Sequence, residues 1–170
     1  MNRLSLAAAS IALVAFLSCS PVAAQSVTRG GAYTNGAGGV TAGARRDAVG
    51  PFGGRTAGEG GVVTNGVGGG AAGSRGCGRD AAGARGCRSG ATAWDRNGNV
   101  AHEGDAVFAG PFGGAGSASG SFTRDSSGEI NGNRSGEYTI GDRTYRAETS
   151  VQTGQGIDRT ITCSGAACRN

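Results

Sequence analysis

The strongest constraint on how this chain can fold is a repeat. Written in blocks beginning at residues 31, 61, 91 and 121, the sequence falls into a thirty-residue register. The fifth position of each block reads Asn35, Asn65, Asp95, Asp125, and the eighth reads Gly38, Gly68, Gly98, Gly128. The tenth reads Val40, Gly70, Val100, Ile130, so every block carries an Asn/Asp-x-x-Gly-x-Val/Ile unit with one exception at Gly70. Asn or Asp opens a turn through its own side chain, glycine takes a positive φ, and a β-branched residue re-enters a strand. A second turn recurs half a period later. Gly50-Pro51-Phe52-Gly53-Gly54 and Gly110-Pro111-Phe112-Gly113-Gly114 are identical, and Asp80-Ala81-Ala82-Gly83-Ala84 fills the same columns between them. Turns roughly every fifteen residues predict strands of about six to nine residues.

Composition limits what such strands can enclose. All 36 glycines lie after residue 24, and Leu, Met and Lys are absent from that part of the chain. Leu, Ile, Val and Phe together are 17 of its 146 residues, below the roughly 20% at which a conventional core becomes hard to build. A large enzyme core is not expected. Residues 29–90, where large side chains are sparse, equally suit a flexible Gly/Ser/Ala linker, so the N-terminal half is open to disorder. The C-terminal half is more definite. Tyr145, Ala147, Thr149 and Val151 alternate with Thr144, Arg146, Glu148, Ser150 and Gln152, giving one apolar and one polar face. With Glu137–Ile140 before it and Ile157–Cys163 after it, this segment predicts an antiparallel meander.

The first 24 residues read as an export signal: Asn2-Arg3, an apolar stretch from Leu4 to Leu17, and a small-residue exit ending Val22-Ala23-Ala24. Cleavage is expected between Ala24 and Gln25, with lipidation at Cys19 as the alternative because Phe16-Leu17-Ser18-Cys19 resembles a lipobox. No membrane span is expected in the mature chain. Cys77, Cys87, Cys163 and Cys168 remain, an even set that in an exported chain predicts two disulfides. Three connectivities exist on paper. A hairpin centred on Ala82 would place Cys77 directly opposite Cys87, and Cys163 and Cys168 bracket a small loop, so these two pairs are expected. Zinc fits poorly, since the spacings lack paired C-x2-C ligands.

Catalytic, cofactor and metal sites are not expected. His102 is the only histidine and reads as a surface residue of a hairpin, with no nucleophile motif to serve. Gly68–Gly73 matches G-x-G-x-x-G, but in glycine-rich sequence chance gives about two such matches, and no apolar helix follows. Walker-type phosphate loops need a lysine, and there is none. Asp95-Arg96-Asn97-Gly98-Asn99 departs from calcium-loop spacing. A single Arg29-Gly30-Gly31 beside Tyr33 is too little for nucleic-acid binding, which is not expected. Charge is uneven along the chain: residues 25–90 hold eight arginines and three acids, residues 91–170 seven arginines and nine acids.

Trp94-Asp95-Arg96-Asn97-Gly98-Asn99-Val100 resembles the Y-D-x-x-G-N-L/V unit of the YD or RHS repeats of bacterial secreted and surface proteins, and Arg124–Ile130 is a poorer copy. Thr34-Asn35 and Thr64-Asn65 stand where the Tyr-Asp pair belongs in the other two blocks. The resemblance covers four short turn units, implies strand-turn-strand construction, and transfers no catalytic residue.

These readings combine into an all-β protein of glycine-rich repeated β-hairpins, arranged as an antiparallel meander or short solenoid. Its expected parts are a signal peptide at 1–24, a partly flexible Gly/Ala/Arg-rich repeat region at 25–90 and a β-meander region at 91–170. The expected role is non-enzymatic, structural or adhesive, in a secreted, periplasmic or cell-surface setting, with envelope polysaccharide or other copies of the chain as partners. Trp94, Arg45 and Arg46 are the candidate contact residues. A cationic peptide acting on membranes or competing cells ranks second, and an exported enzyme third.

Overall fold

The computed structural model describes residues 25–168; the expected leader, its cleavage site and Cys19 lie outside them. Ten strands follow one another: β1 (Gln25–Thr34), β2 (Val40–Val49), β3 (Arg55–Thr64), β4 (Gly70–Arg79), β5 (Arg85–Trp94), β6 (Val100–Ala109), β7 (Ala115–Arg124), β8 (Ile130–Ile140), β9 (Arg143–Gln152) and β10 (Gly156–Ser164). They form one antiparallel sheet in which every strand pairs with its sequence neighbours, in the order β1 to β10. The meander is open, with β1 and β10 at its edges. A 3-10 turn at Ala166–Cys168 follows β10. The fold is all-β, as the repeat predicts. Residues 25–90 lie in β1 to β5 of this same sheet, and the expected boundary at 90/91 falls inside β5.

The turns explain the regularity. Each of the first seven connections has five residues, and its fourth is a glycine with positive φ, spaced every fifteen residues from Gly38 (75°) to Gly128 (90°). In the first, the Gly38 amide donates to the Asn35 carbonyl (3.0 Å) and the Asn35 amide to the Gly39 carbonyl (2.9 Å). This is a type I turn closed by a left-handed glycine, a common three-residue hairpin solution. The opening Asn or Asp works as the sequence suggests. Asp95 Oδ1 accepts from the amides of Asn97 (2.8 Å) and Asn99 (3.0 Å), and Asn35, Asn65 and Asp125 repeat the pattern. Because a turn uses only five residues of fifteen, strands run to about ten, longer than the six to nine expected.

No hydrophobic side chain is buried among the described residues. The sheet is a single layer with both faces in water, held by its ladders, by contacts between adjacent strands and by two disulfides, Cys77–Cys87 and Cys163–Cys168. Cys77 and Cys87 are direct partners in the β4–β5 register, with Cα atoms 4.0 Å apart. That short separation is characteristic of a non-hydrogen-bonded site.

Aromatic rings substitute locally for the missing core. The Trp94 indole lies over Gly70 on β4, where an added Cβ would come within 2.5 Å of Trp94 Cζ2. The Phe108 ring covers Gly116 in the same way, at 2.6 Å. Phe108 stacks on Tyr138 (centroids 5.5 Å apart) and Tyr138 on Tyr145 (6.4 Å), forming a ladder from β6 to β9. Glycine on one strand and a large ring on its neighbour partly cover each other, a recognised way to support glycine in a sheet.

Candidate interaction surface

Successive side chains of a strand point to opposite faces, and direct cross-strand partners share one. The pairings from β1 to β10 therefore sort every strand residue onto one of two faces. One face carries Trp94, His102, Phe108, Phe122, Tyr138 and Tyr145, among many alanines and glycines. Its residues are the half-buried ones along β3, β4, β7 and most of β9, while the opposite face is open.

The faces also divide the charge. Arg46, Arg88, Arg124, Arg134, Arg143 and Arg159 project from the aromatic face, and no Asp or Glu of any strand does. All seven strand acids (Asp47, Glu59, Glu103, Asp105, Glu137, Glu148 and Asp158) lie on the other face, together with seven arginines. The ion pairs Arg45–Asp47 (3.1 Å), Arg75–Glu59 (2.6 Å) and Arg146–Glu137 (2.7 Å) belong to that mixed face. Hydrogen bonding from Arg45 to Asp47 further favours the charged guanidinium.

Four arginines of the aromatic face occupy the middle rows of their strands: Arg46 on β2, Arg88 on β5, Arg134 on β8 and Arg159 on β10. At about 4.8 Å between strands they are spaced roughly 14, 14 and 10 Å apart across the sheet. A linear partner running across the strands would meet them in turn. Of the contact residues expected from sequence, Trp94 and Arg46 share the aromatic face, whereas Arg45 is on the mixed one. Sequence reading divided charge between the halves of the chain. The division by face was hidden because it requires the pairing register: from β1 to β8 it separates even from odd positions, which a fifteen-residue period interleaves, and the parity switches at β9.

Other sequence candidates are placed without forming a reaction centre. His102 is exposed, its Nδ1 2.8 Å from Thr92 Oγ1. The Asp95 carboxylate is occupied by its own turn: the Asn99 side-chain amide (2.6 Å) and the turn amides hold it below the usual carboxylate range. Asp125 is held down likewise, first by the Ser127 hydroxyl. Among the described residues no three His, Cys, Asp or Glu side chains gather in a metal-binding group. A depression of about 390 Å³ on the mixed face is lined by Ser121, Asn133, Ser150, Gln152 and Asp158. It offers hydroxyls, amides and one carboxylate, Asp158, which is the cross-strand partner of Ser150. No helix of the described residues is long and apolar enough to cross a membrane. Comparison with family models, with curated proteins and with solved structures gives no match.

Proposed function

We propose that this chain is an exported, non-enzymatic structural or adhesive protein of the cell envelope or matrix that binds an anionic polysaccharide across its aromatic face. The observation that carries the reading is the absence of any strand acid from a face bearing six arginines and six ring side chains. Rings stack on sugar faces and guanidinium groups bond carboxylates in pairs, so the two residue types together suit an acidic glycan better than a neutral one. Repetition across ten strands favours many weak contacts over one deep pocket. Insertion into a bilayer fits less well, because both faces carry arginine at mid-strand, where contact with hydrocarbon costs about 2–4 kcal/mol for each.

Co-sedimentation or calorimetry with polygalacturonate, and with a neutral glucan as control, tests the reading. Binding should be confined to the acidic polymer and weaken with salt. Arg88→Gln and Arg134→Gln should each weaken it up to roughly fivefold, Trp94→Ala should weaken it too, and Arg45→Gln on the opposite face should not. Equal binding of the neutral glucan, or equal loss in Arg45→Gln, would exclude this surface. Turnover of a glycan, peptide or ester that disappears in His102→Ala would instead make the protein an enzyme.

A further inference from the structure

The two edges of the sheet fit each other. We infer that copies of this chain join edge to edge, β1 of one against β10 of the next, continuing the meander as an open ribbon. This deepens the structural part of the proposed function and does not require a glycan.

Among the described residues nothing pairs with the outer side of β1 or of β10. Each edge therefore presents a row of free backbone donors and acceptors, a template for another strand. An even number of antiparallel strands makes β1 and β10 run in opposite directions, so a translated copy places its β1 antiparallel to β10, as every other pair in the sheet is. Their lengths match, at ten and nine residues. The devices that usually blunt an edge are scarce: neither strand has proline or lysine, and Val27, Tyr33, Ile157 and Ile161 are 55–75% exposed there.

The register follows from the hydrogen-bond alternation. The bond from the Asn35 amide to the Gly39 carbonyl makes odd residues of β1 bond β2, leaving Ser26, Thr28, Gly30, Ala32 and Thr34 directed outward. The bond from the Thr153 amide to the Ile130 carbonyl sets β9 likewise and leaves Ile157, Arg159, Ile161 and Cys163 of β10 outward. Continuing the sheet with its turns in line pairs Ile157 with Ala32, Arg159 with Gly30, Ile161 with Thr28 and Cys163 with Ser26 of the next copy. Both outward sets belong to the aromatic face, so the faces remain continuous across the joint.

Charge supports the same joint. On the mixed face, β1 to β5 carry six arginines against two acids, and β6 to β10 carry one arginine against five acids, a net of +4 beside a net of −4. A head-to-tail joint brings the positive side of one copy to the negative side of the next, with Arg29 opposite Thr160 and diagonal to Asp158. A symmetric β1–β1 joint would oppose like charge. Since the joint is translational, the assembly does not close on itself.

Cysteine substitution reads the register directly. Val27 and Thr162 would face each other at a non-hydrogen-bonded site, in the same row as the Cys77–Cys87 pair of a single chain. Under mild oxidation the purified double variant Val27→Cys/Thr162→Cys should give a ladder of disulfide-linked multimers. A mixture of the two single variants should give mixed dimers only. Thr28→Pro, which removes an outward amide and leaves the β1–β2 ladder intact, should abolish multimers in sedimentation velocity while the β-sheet circular dichroism persists. A link within one chain would mean closure into a barrel and overturn the inference, as would dimers of a single variant with itself, or monomers throughout. Polygalacturonate binding by the Thr28→Pro chain is scored separately, so loss of the ribbon and loss of the glycan surface are distinguishable.

Discussion

Gly70 interrupts the β-branched column of the repeat, and the structure gives the reason. It lies beneath the Trp94 indole, and a Cβ there would also come within 2.7 Å of the Val63 carbonyl oxygen. Gly70→Ala should therefore destabilise by about 1–3 kcal/mol, the usual cost of overpacking. Urea denaturation followed by Trp94 emission measures it. The left-handed turn glycine is a different case. Gly98, at φ 88°, has open space where a Cβ would go, so Gly98→Ala meets only backbone strain, about 1–2 kcal/mol. Acid should act at two of the aspartate turns. The folded states of Asp95 and Asp125 hold these carboxyls below their ordinary value of about 3.9, so their contribution to stability is complete above that value. It is lost as pH falls below about 4 and on through the folded values. Amide exchange across β5 to β8 should rise in that window, and Asp95→Asn should remove the local response. The Asn35 and Asn65 turns carry no titrating group at that position and should not follow.

At the level of strands and turns, what could be read from sequence was whatever depended on local spacing. Asn/Asp followed three residues later by Gly specifies a turn by itself, and the alternation Tyr145-x-Ala147-x-Thr149-x-Val151 specifies β9. The Cys77–Cys87 pair followed from equal distances to Ala82, and the β4–β5 register realises it. Properties that arise between strands were not visible. Gly70 depends on a tryptophan 24 residues later in the chain, and the acid-free face depends on nine pairings at once. The first half looked linker-like because its glycines and alanines have no periodicity of size; register alone makes them strands. The disulfides should matter in proportion to the loops they close. Reduction of Cys77–Cys87 should cost about 2–3 kcal/mol and Cys163–Cys168 about 2 kcal/mol in the chain-entropy account. Cys77→Ser/Cys87→Ser compared with Cys163→Ser/Cys168→Ser in thermal melts checks the order.

On the scale of the whole molecule, each strand pairs only with its sequence neighbours, and the Phe108–Tyr138 stack is the one ring contact that reaches over a strand, so stability is largely a sum of local terms. Removing residues 95–124, one turn-strand-turn-strand period, joins β5 to the Asp125 turn and β8 with direction and register preserved. The shortened chain should remain folded with eight strands, which circular dichroism and amide exchange can verify. A layer with no interior has a thermal consequence as well. The heat capacity of unfolding comes chiefly from apolar surface newly wetted, and here no apolar side chain is fully withdrawn from water to begin with. Calorimetry should give a ΔCp well under the ~12–15 cal/mol/K per residue of globular domains. The free energy of unfolding would then decline almost linearly with temperature instead of following a dome, and this sheet would lose little stability on cooling, where proteins built around oily cores begin to weaken.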